Sequence, residues 1–180
     1  MGEIIQDSIL YFSDEMRYGL MSNWRRSWSK IGERVTLDQK QAFLNSYLYS
    51  AISPTTGEDF HLLGLADMDR QTEEIFLTEL KKKHPEQHVV VVMDNAPCHR
   101  PQRLHTIPGL TLIHLPAYSP ELNPVERYFE ELRRTTANEI FKDMQDLEKR
   151  LTKKIKSFTK DDLKQLCGYE WILEQVGGVS

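Results

Sequence analysis

Three acids stand where a carboxylate could do chemistry. Asp14 follows the apolar run Ile9 to Phe12, with Glu15 directly after it, and Asp94 follows Val89 to Met93, the most hydrophobic stretch of the chain. Glu126 falls in the first turn of a long predicted helix, with Glu121 in the loop before it and Glu130 one turn on as competitors. Successive strand residues face opposite ways, so only one of Asp14 and Glu15 can serve a given site. Two carboxylates at adjacent strand ends repel each other unless a proton or cation lies between them. A hard divalent ion does this, and magnesium favours a few carboxylates plus water and phosphate oxygens over an all-protein cage.

Local chemistry offers plainer roles for the same residues. Asn123, Pro124 and Glu126 also read as a capping box, with Asn123 at the N-cap, Pro124 at the first helical position and Glu126 reaching back to the cap amide. On local chemistry alone the cap is the stronger reading of Glu126. Asp94-Asn95-Ala96-Pro97 equally reads as a turn in which Asp94 accepts backbone hydrogen bonds. His99 reads as a surface or hydrogen-bonding histidine, and Trp24 and Trp28 as packed rings.

The elements that must position these acids follow from periodicity. Ile9 to Phe12 reads as a strand delivering Asp14 and Glu15 at its far end. "AFLNSYLYSAI" and "DFHLLGLADM" read as an antiparallel hairpin joined by the turn residues of "SPTTGE". "RQTEEIFLTELKKKH" puts Ile75, Phe76 and Leu80 on a helical stripe and ends in lysines that suit a helix C-terminus. Val89 to Met93 has the continuous apolar character of a strand covered on both faces, and Leu110 to Leu115 is its candidate partner. A long helix is predicted from Asn123 to about Phe141 on the stripe Val125, Phe129, Leu132, Thr136 and Ile140. A second follows on Met144, Leu147, Leu151, Ile155 and Phe158. The remaining tail reads as a brief helix and a loose end. This order predicts an α/β fold, a mixed sheet with helices on its faces, whose ligands gather at the carboxyl ends of strands.

The chain has 180 residues, 39% of them hydrophobic and 28% charged, which suits one soluble domain with a real core. No apolar run approaches spanning length and no signal-peptide pattern opens the chain, so the expected location is the cytoplasm, without membrane contact. Cys98 and Cys167 are far apart and outside any Cys-x-x-Cys pairing, so they read as reduced thiols. A net charge of -4 argues against binding nucleic acid through the overall field, so any such grip must be local. Basic clusters stand at Arg17, Arg25, Arg26, Lys30 and Arg34 and again between Lys142 and Lys164; taken alone, each reads as a solvated face.

Taken jointly, the motifs say more than any one acid. "MDNAPCH" followed by "LPAYSPELNPVE", with "DE" after an earlier apolar strand, resembles the catalytic domain of the DDE transposases, in the bacterial insertion-sequence branch of the mariner superfamily. The resemblance spans roughly residues 8 to 141, and Asp14, Asp94 and Glu126 occupy its three acid positions. The stretch between the last two acids is slightly shorter than is common in the family, a difference that a shorter connection between strand and helix absorbs.

The resemblance implies a ribonuclease H-like fold, a five-stranded mixed sheet flanked by helices. It implies one catalytic domain over residues 1–180, with a core at about 8–141 and a C-terminal helical extension at 142–180. The helix-turn-helix modules with which family members recognise element ends are absent before the first strand, so end recognition is expected to lie elsewhere. The implied activity is metal-dependent DNA cleavage and strand transfer during transposition. Two Mg2+ ions, or Mn2+ as substitute, would be held by Asp14, Asp94 and Glu126, with Asp94 bridging. Asn95, His99, Tyr118 and Ser119 would lie near the ions, and Arg25, Arg26, Lys30 and Arg34 would contact DNA phosphates. The implied partners are double-stranded DNA, as transposon ends and target, and a second copy of the chain when assembled on DNA, at the bacterial nucleoid. Two rival readings remain: a catalytically silent remnant acting in binding or assembly, and another metal nuclease on the same fold.

Overall fold

In the computed structural model, which describes residues 8–21, 30–31, 44–94, 107–117 and 119–177, the first strand runs well past the apolar segment that announces it. Strand β1 spans Ser8–Gly19, so Asp14 lies inside it and not at its far end as the sequence suggested. The strand continues because Met16 and Tyr18 keep alternating into the core. Strand β2 (Asn45–Ile52) also pairs antiparallel with it, from Phe12↔Ile52 to Gly19↔Asn45. The expected hairpin follows, with Ser53 donating to the Glu58 carbonyl at 2.8 Å and strand β3 (Asp59–Leu65) returning beside β2. The register slips by one residue between Tyr47 and Leu48, and Gly64, at φ 86°, is the extra residue on β3.

Helix α1 (Arg70–Lys83) starts where the Asp69 carboxylate accepts the Thr72 amide at 2.8 Å. Its inward stripe is Glu73, Phe76, Leu77 and Leu80. Ile75, expected on that stripe, is 50% exposed. Strand β4 (His88–Met93) is the expected central strand, its valines buried on both faces, and it runs parallel to β1. Strand β5 (Leu110–His114) runs parallel to β4. The sheet order is β3-β2-β1-β4-β5, a mixed five-stranded sheet.

Helix α2 (Val125–Thr136) is shorter than its predicted span. Ala137 turns extended and Asn138 takes φ 58°, which ends the helix before Ile140, half exposed and off the packed stripe. Helix α3 (Met144–Ile155) packs through Leu147 and Leu151 as predicted. The expected brief helix is α4 (Lys160–Cys167), and where a loose end was expected a further helix, α5 (Glu170–Gly177), follows; together they bury Leu163, Cys167 and Ile172 in the core. Cys167 is a free thiol, donates to the Pro124 carbonyl at 3.5 Å, and is pushed up to about 12 by burial.

The sheet therefore has two unlike faces. Odd residues of β1 and β4, among them Ile9, Tyr11, Val89 and Val91, pack under α1. Even residues such as Phe12, Met16 and Val92 pack under α2, α3, α4 and α5. Among the described residues no helix is long and apolar enough to cross a membrane.

Candidate active site

The parallel ladder of β1 with β4 ends at Phe12↔Val92. Carried two residues further on both strands, that register brings Asp94 level with Asp14, on strands about 4.8 Å apart. Strand alternation from Phe12, in the core beneath α2, aims the Asp14 carboxylate at that face, and the same alternation continued one residue past the end of β4 would aim Asp94 there too. Glu15 points to the opposite face, so Asp14 is the member of the pair on the α2 side. Both Asp14 and Asp94 are partly buried. The Asp14 Oδ1 accepts the Glu15 amide at 2.9 Å, and His114 meets the Asp94 carbonyl through Nδ1 at 3.2 Å. A carbonyl only accepts, so Nδ1 carries the proton and β5 steadies the backbone at the point where β4 ends.

The helix that bears Glu126 packs against β1 on this face. Asn123, 2% exposed, donates through Nδ2 to the Ser13 carbonyl at 3.0 Å and accepts the Val125 amide on Oδ1 at 3.2 Å. One side chain thus ties the start of α2 to the residue preceding Asp14. The capping box predicted for this segment does not form. The Glu126 carboxylate turns along its own helix to Arg133, with Nη1 at 3.3 Å from Oε2. Its competitors are engaged elsewhere or exposed: Glu130 pairs with Arg134 at 3.6 Å, and Glu121 lies exposed in the 3-10 turn Pro120–Leu122. Among the described residues, no three acids, histidines or cysteines are arranged to hold a metal ion. The continued register would give Asp14 and Asp94 one level and one face, and Glu126 belongs to the helix over that face with its carboxylate drawn aside. Their hard oxygen donors suit a magnesium-like ion.

Of the other predicted residues, Ser119 is partly buried at the start of the 3-10 turn, where its carbonyl accepts the Leu122 amide at 3.1 Å, and Lys30 is exposed. Asn95, His99, Tyr118, Arg25, Arg26 and Arg34, like Trp24, Trp28 and Cys98, lie outside the described residues. A cavity of about 300 Å³ opens further along β1, lined by Met16, Tyr18, Leu20, Arg133, Phe141 and Leu151 among others. Among the described residues none of the three acids lines it, and Arg133, the partner of Glu126, does.

Sequence reasoning missed the polar residues that surround Asp14. Ser50 on β2 stands directly opposite Asp14, and His61 on β3 directly opposite Ser50. His61 Nδ1 lies 2.9 Å from Ser50 Oγ and Nε2 lies 2.8 Å from Asp59 Oδ2. The hydrogen bond from His61 holds the Asp59 carboxyl below the usual carboxylate range, against the desolvation that pushes it up. The Tyr128 ring of α2 stacks on His61 at 5.2 Å, and burial drives its hydroxyl far above the ordinary range. The available signal was Asp59-x-His61 in a strand, two polar residues on one face of an otherwise apolar segment. Nothing local linked them to Asp14.

Comparison with known proteins agrees with this architecture. The family described as DDE superfamily endonuclease matches residues 9–148. A protein of Sinorhizobium fredii described as uncharacterized, y4pE/y4sA, is 33% identical over 104 residues, which cover 57% of this chain and 76% of that protein. Among solved structures, a pre-cleavage Mos1 transpososome aligns with a TM-score of 0.71 at 16% identity, over 98% of this chain and 55% of that one. The mariner Mos1 paired end complex with Mg aligns with a TM-score of 0.67 at 19% identity, over 95% of this chain and 55% of that one. This chain spans about half the length of those Mos1 chains, and at such identities the likeness is one of fold. That fold is ribonuclease H-like, the mixed five-stranded sheet with flanking helices described above. With the family match covering most of its length, the chain belongs to the DDE superfamily endonucleases.

Proposed function

We propose that this chain is the catalytic domain of a DDE transposase, cutting DNA and transferring strands with divalent metal ions held by Asp14, Asp94 and Glu126. The observation that carries the reading is the parallel β1–β4 register, which ends at Phe12↔Val92 and, continued by two residues, would set Asp14 beside Asp94 on the side of the helix that bears Glu126, in a DDE superfamily endonuclease. On this reading residues 8–141 form the catalytic core, and the helices beyond it support α2. Bound Mg2+ or Mn2+ would supply Lewis-acid activation of the attacking oxygen and charge stabilisation at the leaving oxygen of an in-line displacement. Asp14 and Asp94 provide the fixed pair of ligands. Asn123 sets the height of α2 above them, and Glu126 completes the set once it leaves Arg133. The substrate is double-stranded DNA, both element end and target. Lys30, with Arg25, Arg26 and Arg34, contacts its phosphates, which positions the duplex but carries little sequence information. Two copies of the chain act together on paired ends.

One observation favours a second reading, a silent role in DNA binding or assembly: the three carboxylates do not converge among the described residues, and Glu126 is engaged by Arg133. The deciding experiment is Mn2+-dependent nicking of duplex DNA by the whole chain, compared with Asp14→Asn and Asp94→Asn. Catalysis predicts nicking in the wild type and none above the metal-free background in either variant. Equal nicking by all three would remove the catalytic assignment, and no nicking by any would favour the silent role.

A further inference from the structure

Beyond the three acids, a polar row crosses the α2 face of the sheet. His61, Ser50 and Asp14 are successive cross-strand partners on β3, β2 and β1, so their side chains project to the same side. Directly opposite residues have Cβ atoms about 5 Å apart, which brings the Ser50 hydroxyl within reach of the Asp14 carboxylate. Ser50 is fully buried, so it is no nucleophile despite the Ser, His and Asp sequence of contacts. Those contacts instead fix where its proton goes. Ionised Asp59 only accepts, so His61 donates to it from Nε2, and the Tyr128 hydroxyl lies 3.3 Å from the same nitrogen. In the neutral ring Nδ1 is then an acceptor, and at 2.9 Å it takes the Ser50 hydroxyl proton. Ser50 therefore turns oxygen lone pairs, not its proton, away from His61. A carboxylate opposite it then receives no proton from Ser50.

We infer that Asp59 and His61 form a positioning relay that holds the Ser50 proton away from the Asp14 carboxylate, the group a divalent cation would use, an inference that rests on the reading of Asp14 as a ligand. Without the histidine acceptor, the Ser50 hydroxyl rotates and donates to Asp14, drawing it away from Asp94. The relay is thus protective, and its signature is an epistatic one that ordinary core packing does not produce.

The test is Mn2+ titration of the whole chain, followed by electron paramagnetic resonance, with melting temperatures recorded alongside. His61→Phe keeps the ring stacked on Tyr128 but removes the acceptor, and it should weaken Mn2+ binding about tenfold, the size typical of groups that orient metal ligands. Ser50→Ala should bind as the wild type does, and the double variant should recover wild-type affinity, because the intruding hydroxyl is gone. His61→Gln, which retains an acceptor for Ser50, should also bind normally. If His61→Phe does not fold, Asp59→Asn, which frees the imidazole to donate from Nδ1, should weaken binding in the same direction. Unaltered affinity in His61→Phe, or a double variant as weak as His61→Phe alone, overturns the relay. Wild-type binding that Asp14→Asn leaves unchanged overturns the ligand role of Asp14 and the relay with it, whereas a failure confined to the His61 and Ser50 variants leaves that role standing.

Discussion

Arg133 lies two helical turns beyond Glu126 on α2 and reaches back to it, Nη1 to Oε2 at 3.3 Å, with its guanidinium 5.9 Å from the Phe129 ring. The pair is partly exposed, at 36% and 42%, so its attraction is modest. On the proposed reading, a cation seated between Asp14 and Asp94 would compete with Arg133 for the same carboxylate. Replacing Arg133 with Met removes that competitor and should tighten Mn2+ binding roughly 1.4- to 5-fold, the equivalent of the 0.2 to 1 kcal/mol that such pairs contribute. Isothermal titration of the two proteins measures it; looser binding in the variant would mean that Arg133 assists the site.

Asn123 joins β1 and α2 through two buried hydrogen bonds, to the Ser13 carbonyl and from the Val125 amide. Asn123→Ala leaves both backbone groups without this partner and should cost about 1–3 kcal/mol in urea unfolding. Nicking activity should fall further than the folded fraction does, because α2 loses the contact that sets its height over Asp14. A parallel loss of both would make Asn123 a purely structural residue.

The stripe that packs α2 ends sooner than its periodicity suggests. Leu132 is wholly buried, and Leu132→Ala should destabilise the chain by about 2–5 kcal/mol. Ile140 is half exposed beyond the helix end, and Ile140→Ala should change stability by less than about 0.5 kcal/mol. Chemical denaturation of the two variants separates these positions, which the sequence alone treats as equals.

Stability should also carry a mark of the Asp59 and His61 pair at acid pH. The folded chain holds the Asp59 carboxyl below its ordinary value, chiefly through the His61 hydrogen bond. Folding therefore favours ionised Asp59, and its contribution is complete above the unfolded value of about 4 and is lost as pH falls through the lower folded value. The difference in melting temperature between the wild type and Asp59→Asn should accordingly shrink between about pH 5 and about pH 2. A difference that grows on acidification would reverse the assigned direction.

Much of the fold, and the motif that marks the family, was legible in the chain itself. The apolar runs before Asp14 and Asp94, the hairpin around "SPTTGE" and the amphipathic stripes of α1 and α3 are local patterns, because periods of 2 and 3.6 residues are set by the backbone. The joint motif around Asp94 and Glu126 identified the family, and the family match agrees. What the sequence alone determined is therefore the kind of most elements, their order and the family to which they belong. Tertiary structure decided which groups those acids meet. The extension of β1 to Gly19 came from its pairing with β2, and the early end of α2 came from the backbone at Ala137 and Asn138. The capping box is missing because the Asn123 amide it needs donates to the Pro120 carbonyl at 3.0 Å, and Glu126 pairs instead with Arg133 two turns away. The row from His61 through Ser50 to Asp14 depends on strand register, and register is a relation between distant segments that a one-residue slip would turn to the other face.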